Sequence, residues 1–521
     1  MKSLLLLPLA LGAASSAKSK PPKDQCRFAQ DWTQDQILAD TDRFTAQMLH
    51  WEGKFHQPDV AYNGGNGVSY DGSILDWHSG EAISTKPFSA ASKEALQIML
   101  YARAVEGSRD AAQFLSSRHP ERAPKIALDL MQKKLETYLK FNETHPGFGG
   151  AIPWFKADVQ DIVPQPDWVN RVPALDNGEL WWAVYAWIQA LEKTNKKEYA
   201  KQAERWQVWL DFLTPNMLEI FYRGNGSICA VTTIGDQFLP VNHPDQSYEC
   251  EGEGRLNDPY EGELVAFFFH LFGDLSESEE DALWEVKRPQ LVKDEYHEGN
   301  VGPITVERGF WFSGHEPWKV LELPYYDVEI IRRLYHNHER VRTCNSIFTE
   351  NPGLLASVNN ITDSETNEVL GYISPAGIPS IANQTEQYLE VVTPYAAWPV
   401  IMFDRAVGLA WWHNMVSGKK MQNQYGSTES TRIDGEGVSG ILTWDSKVLT
   451  VVSVLGGVKD LVRDKLKQDG IYHEFIRIAE REYSMVFGDE LKGEDVELCL
   501  PSVPITDAGL KDFTSCARSI Q

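Results

Sequence analysis

Leu175-Asp-Asn-Gly-Glu-Leu-Trp-Trp-Ala-Val-Tyr-Ala-Trp187 can be laid beside Pro259-Tyr-Glu-Gly-Glu-Leu-Val-Ala-Phe-Phe-Phe-His-Leu271, with Gly-Glu-Leu shared at 178–180 and 262–264. Each stretch sets an acidic loop before a helix that is apolar on nearly every side, and a helix of that kind must be buried all round. Amphipathic helices lie between and around them. Ile37, Thr41, Phe44, Met48 and Trp51 recur at steps of three and four, as do Leu128, Met131, Leu135 and Tyr138, and Trp206, Trp209, Leu210 and Leu213. The segments 178–192, 262–272, 325–344 and 447–487 read as further helices. Alternating patterns are short, for instance Ser227–Thr233 and Glu368–Ser374. Buried inner helices, wrapped by amphipathic outer ones with loops gathered at one end, predict an all-α (α/α)6 barrel, a toroid with short β segments in its loops. An irregular all-α bundle is the competing layout.

The chain of 521 residues carries 49 Lys+Arg against 74 Asp+Glu, a net charge of −25. Such a charge repels phosphate backbones and anionic lipid, so no nucleic-acid or membrane partner is expected. At 42% apolar and 24% charged residues the chain is globular. Residues 1–17 read as a secretory signal peptide: Lys2, an apolar run from Leu4 to Leu11, then small residues ending at Ala17. No linker divides the remainder, so 18–521 is expected to be one domain, working as a monomer. Export fits the six cysteines, Cys26, Cys229, Cys250, Cys344, Cys499 and Cys516, which allow three disulfides. Cys499 with Cys516 is the first expectation because their loop is short. Four sequons nominate Asn142, Asn225, Asn360 and Asn383 for glycosylation. The localisation expected is extracellular.

Aromatics make up 11% of the chain. Most fill the core, but those in Gly-rich loops, including Tyr62, Trp77 and Tyr425, suit stacking on sugar rings. The serine-hydrolase elbow, the phosphate loop and the zinc helix are all missing from the sequence. His336-Asn-His338-Glu339 lies on a helix, but residues two apart do not share a face, so a solvated polar face is expected there instead of a metal site. Carboxylate chemistry remains. Glycoside hydrolysis needs a protonated acid near the leaving oxygen and an ionised carboxylate for the water or the anomeric carbon. Glu261, after Pro-Tyr and before Gly262, is the best acid in the crowded run Glu249–Glu263, while Glu263 reads as an ordinary first-turn acid. Asp71, Asp176, Asp434, Glu436 and Asp445 compete for the second role, and spacing does not choose among them.

Leu175-Asp-Asn-Gly-Glu-Leu-Trp-Trp, Asn257-Asp-Pro-Tyr-Glu-Gly-Glu-Leu, Gln424-Tyr-Gly-Ser-Thr-Glu-Ser and Leu442-Thr-Trp-Asp445 resemble the fungal endo-β-1,2-glucanases of glycoside hydrolase family 162. The resemblance implies an (α/α)6 barrel that cuts linear β-1,2-glucan internally, releasing sophorose and longer sophorooligosaccharides. It also implies inversion at the anomeric carbon with neither metal nor cofactor. By motif, Glu261 resembles the general acid, its proton passing through a substrate hydroxyl, and Asp445 the general base. Asp176 and Glu436 are expected to contact sugar. A polysaccharide lyase on a similar toroid would want a basic groove, which a −25 chain gives little sign of; a non-catalytic glycan-binding protein is the other rival.

Overall fold

The computed structural model describes residues 26–157, 159–256, 260, 262–506 and 509–516. The signal-peptide segment and Glu261 lie outside them. Among the described residues are sixteen α-helices joined by long loops that carry short strands. Ala174–Glu192 is buried from Asn177 to Leu191 without a break, and Gly262–Phe272 from Gly262 to His270. Their apolar surface is satisfied on every side. Trp181 stacks on Tyr185 and packs against Phe268 and Phe272, while Trp182 Nε1 donates to the carbonyl of Leu264 at 2.9 Å. Ala91–Glu106 and Trp444–Val454 are similarly enclosed. Ala123–Thr144, Lys197–Phe221 and Tyr472–Phe487 each bury one stripe and leave the other face wet, as their three-and-four spacing requires.

Helix contacts run from Trp444–Val454 to Ala91–Glu106, to Ala174–Glu192 and to Gly262–Phe272. They return through Tyr472–Phe487, Glu329–Phe348 and Trp398–Phe403 to the start. The stretch 447–487, expected to be helical, holds three helices: Trp444–Val454, Lys459–Gln468 and Tyr472–Phe487. Gly456, Gly457 and Gly470, all at positive φ, turn the chain between them. No helix among the described residues is long and apolar enough to cross a membrane.

The disulfides are Cys26–Cys516, Cys229–Cys250 and Cys344–Cys499. The expected Cys499–Cys516 pair is therefore wrong, and the path of the C-terminal segment explains why. After Phe487 the chain forms no further helix among the described residues and crosses the helices Glu329–Phe348 and Arg405–Val416. Arg333 holds Glu494 through two 2.7 Å bonds, and Trp411 Nε1 donates to the carbonyl of Cys499 at 2.8 Å. Further along, Thr514 N donates to His78 O at 2.9 Å, and Ser515 and Cys516 meet Cys26 near the N-terminus. A short spacing brings two cysteines together only when the chain between them folds back; here Cys499 is taken by Cys344 on the helix Glu329–Phe348 and Cys516 by Cys26.

Candidate active site

Three inner helices begin at the same end of the molecule. A small sheet aligns two of the chain segments there: Gly72–Leu75 lies antiparallel between Ile441–Thr443 and Ala82–Lys86, with Gly72 opposite both Thr443 and Lys86. A Cβ at Gly72 would sit 1.6 Å from the carbonyl oxygen of Leu442, so only glycine permits this pairing. The carbonyl of Asp71 then accepts from Trp444 N at 3.1 Å, which brings Asp71 up against the helix Trp444–Val454. That helix is capped by Thr443, whose Oγ1 accepts from Ser446 N at 3.2 Å. Trp444 is buried, its Nε1 bound to the carbonyl of Ala61 at 2.7 Å. Asp445, next along, looks the other way and keeps 27% of its side chain exposed.

Lys93, in the first turn of Ala91–Glu106, places Nζ 2.7 Å from Asp445 Oδ2. Asp445 Oδ1 has no hydrogen-bond partner among the described residues. Burial pushes the Asp445 pKa up; Lys93 opposes that, while Asp71 and Asp176 add to it. For Lys93, burial disfavours the charge, but Asp445, Asp71 and Asp176 outweigh it and lift the pKa. Asp71 pairs with Lys86 Nζ at 2.8 Å, and Lys86 reaches Asn359 Oδ1 at 3.3 Å. Asn359 in turn donates twice to Glu429 Oε1, and burial holds Glu429 at about 7. The hydroxyl of Tyr372, a residue 60% exposed, is raised by burial of that end and by the charge of Asp445. His315 faces Lys93 from another loop; burial, Arg342 and Lys93 hold it neutral with a pKa of about 4.

Asp176 sits in the first turn of Ala174–Glu192. Asn177 exchanges hydrogen bonds with the backbone of Ile152, at 2.8 and 3.0 Å, and so fixes the loop that carries Trp154. Trp154 Nε1 donates to Asp176 Oδ2 at 2.8 Å. Its indole lies over Trp168 with centroids 4.3 Å apart and meets Phe88 edge-on. With 36% of Trp154 exposed, this is a rigid aromatic platform whose polar edge is already committed to an aspartate.

A family model described as endo-β-1,2-glucanase SGL, of glycoside hydrolase family 162, matches residues 68–517. The chain belongs to that family. Two structures of the endo-β-1,2-glucanase from Talaromyces funiculosus are similar, each with 58% identity and a TM-score of 0.94, covering 95% of this chain and 100% of that one. One is a Glu-to-Gln variant in complex with β-1,2-glucan, the other a complex with sophorose. An endo-β-1,2-glucanase from Chitinophaga pinensis shares the fold at 12% identity, with a TM-score of 0.55 over 84% of this chain and 98% of that one. Among curated proteins none matches the chain.

In this family member the remaining expected site residues fall into two groups. Asp445, Asp176 and Asp71 come together around Lys93. Glu261 lies outside the described residues, though its neighbour Tyr260 is buried and donates to the carbonyl of Glu307 at 3.2 Å. Tyr62 packs against His56, and Trp77 lies beneath the Lys420 ammonium; both are buried and present little ring surface to a ligand. Tyr425 is half-buried against the core. Glu436 is exposed on a turn where its amide donates to Asp434 Oδ1, and no described contact joins it to the Asp445 group.

Glu263 is not an ordinary first-turn acid. It is sealed in the core, 2.7 Å from Lys319 Nζ and bonded by Tyr325. The helix face at 336–339 is not solvated either: His338 is fully buried and Nε2 accepts from Glu307 N at 3.0 Å, while His336 stacks on Phe403. Both misreadings share a cause, since burial from neighbouring elements is invisible in local polarity. Lys93 and Trp154 were missed altogether. A lysine in the first turn of an apolar helix opposes the helix dipole, and that conflict signals a carboxylate partner.

Proposed function

We propose that this family member is a secreted endo-β-1,2-glucanase that hydrolyses linear β-1,2-glucan to sophorose and longer sophorooligosaccharides with inversion. Asp445 is the general base and Glu261 the general acid. The observation that carries the reading is the 58% identity, over 95% of the chain, to an enzyme described in complex with β-1,2-glucan and with sophorose. In the reaction, the oxygen of a water bonds to the anomeric carbon as the glycosidic carbon–oxygen bond breaks. The water's proton passes to Asp445, and the proton of Glu261 reaches the leaving oxygen. The helix N-terminus and Lys93 favour an anionic Asp445 against the cost of its burial. Trp154 stacks on an apolar sugar face, and Asp176 fixes that ring's orientation.

The closed circuit of helix contacts supports a single (α/α)6-barrel domain from 18 to 521, working as a monomer. Three disulfides support an oxidising, extracellular location. Asn225 and Asn383 are exposed and suit glycans; Asn142 and Asn360 are partly buried. Incubation with linear β-1,2-, β-1,3- and β-1,4-glucans, with products sized, tests the reading. Reducing oligosaccharides are expected from the β-1,2 polymer alone. Cleavage of another linkage in preference, or ultraviolet-absorbing unsaturated products, would overturn it.

A further inference from the structure

Lys93 stands where a cation is least comfortable, in the first turn of a buried helix with the positive end of the helix dipole behind it. Only 14% of its side chain is exposed. Three aspartates from three separate elements face it: Asp445 at the start of Trp444–Val454, Asp71 just before Gly72–Leu75, and Asp176 at the start of Ala174–Glu192. His315 faces it as a neutral ring. Asp445 is faced by Lys93, Asp71, Asp176 and the hydroxyl of Tyr372, so Lys93 is the one cation acting on it among these groups. Lys86 is spoken for by Asp71.

The contact is also directional. Nζ lies 2.7 Å from Oδ2, and Oδ1 is left without a hydrogen bond among the described residues. A shielded carboxylate oxygen without a partner costs free energy in the resting protein, which marks it as the atom with capacity to take up a proton. Lys93 binds one oxygen and so sets the rotation of the carboxyl group.

We propose that Lys93 is a positioning residue for hydrolysis, fixing the Asp445 carboxylate and sustaining the anion that accepts the water's proton. This rests on the reading of Asp445 as the general base. Lys93 need not touch substrate; it acts through Asp445. Without it, Asp445 faces two like charges and its own burial with no compensating cation, so its protonated form gains at the expense of the base.

The pH dependence of kcat on linear β-1,2-glucan tests this in wild type, Lys93→Met, Lys93→Gln and Lys93→Arg, with melting temperatures measured alongside. For Met and Gln the acidic limb is expected to move up by about one unit or more, and kcat at the optimum to fall about 10- to 100-fold. Arg is expected to return the limb close to wild type. An unmoved acidic limb in folded Met or Gln variants would overturn the proposal. So would failure of both to fold, because Lys93 would then belong with the lysines that hold the core together. Asp445→Asn separates the two readings: if it retains turnover, the assignment of the base fails, whereas if it is inactive while the Lys93 variants keep the wild-type limb, only the role of Lys93 fails.

Discussion

Four of the close lysine–carboxylate pairs among the described residues each tie a helix of the fold to another segment, and their surroundings differ. Lys134–Glu94, Lys319–Glu263 and Lys447–Glu52 are sealed, with side chains at most 1% exposed. In each, further donors bind the carboxylate: Ser69 and Tyr138 on Glu94, Tyr325 on Glu263, Ser427 on Glu52. Lys93–Asp445 is equally short but opens to solvent and leaves one oxygen uncommitted. Two of the sealed lysines also differ from Lys93 in their electrostatics. Burial pushes Lys134 and Lys447 below the ordinary lysine value because each meets a single carboxylate. Lys93, facing three, is pushed up. One chemical motif thus occurs in two settings, told apart by exposure and by the uncommitted oxygen of Asp445.

The sharpest break in this comparison is expected from the carboxylates. Asp445→Asn should lower kcat by about a thousandfold or more while leaving the thermal transition unchanged, and Glu261→Gln should do the same; turnover and melting temperature together check both. Lys319→Met should do the reverse, costing about 3–5 kcal/mol of stability by stranding Glu263 in the core. A loss much below 1 kcal/mol in denaturant titration would place Lys319 outside the sealed class.

Stability should also follow pH. Burial raises Glu307 to about 8, and Glu339 and Glu429 to about 7. Above the unfolded carboxylate value the unfolded chain has released these protons and the folded chain keeps them, so stability falls as pH rises until the folded groups ionise. Buried histidines pull the other way at lower pH: His56 at about 3 and His315 at about 4 lose stability only below their unfolded value near 6.5. Between pH 6.5 and 8 a decline of about 2 kcal/mol is expected from Glu307 itself. Glu307→Gln should flatten that decline in melting scans. The smallest effect is expected at the aromatic platform, where Trp154→Ala should raise KM about fivefold with little change in kcat.

Much of the fold was legible because its deciding signal is local. Ala174–Glu192 and Gly262–Phe272 are apolar all round, and only burial on every side accommodates them. The stretch 447–487 read as helical by the same signal, and Gly456, Gly457 and Gly470, at positive φ, divide it into three helices. In the site, Asp176 and Asp445 stood out as acids at the starts of inner helices, and the structure brings both to Lys93. Choosing Asp445 as base took the family resemblance. Lys93 escaped notice because its meaning depends on Asp71 and Asp445, distant in the chain and joined through the pairing of Gly72 with Thr443. Glu263 was misread for the converse reason: Lys319 and Tyr325, which seal it, arrive from another segment.

Whether Asp445 activates water or attacks carbon itself is read most directly from the anomeric form of the first products. In proton NMR of β-1,2-glucan at early times, before mutarotation, an Asp445 that serves as general base yields the α-anomer at the new reducing end. Initial release of the β-anomer would mean retention through a covalent intermediate and would contradict the assignment.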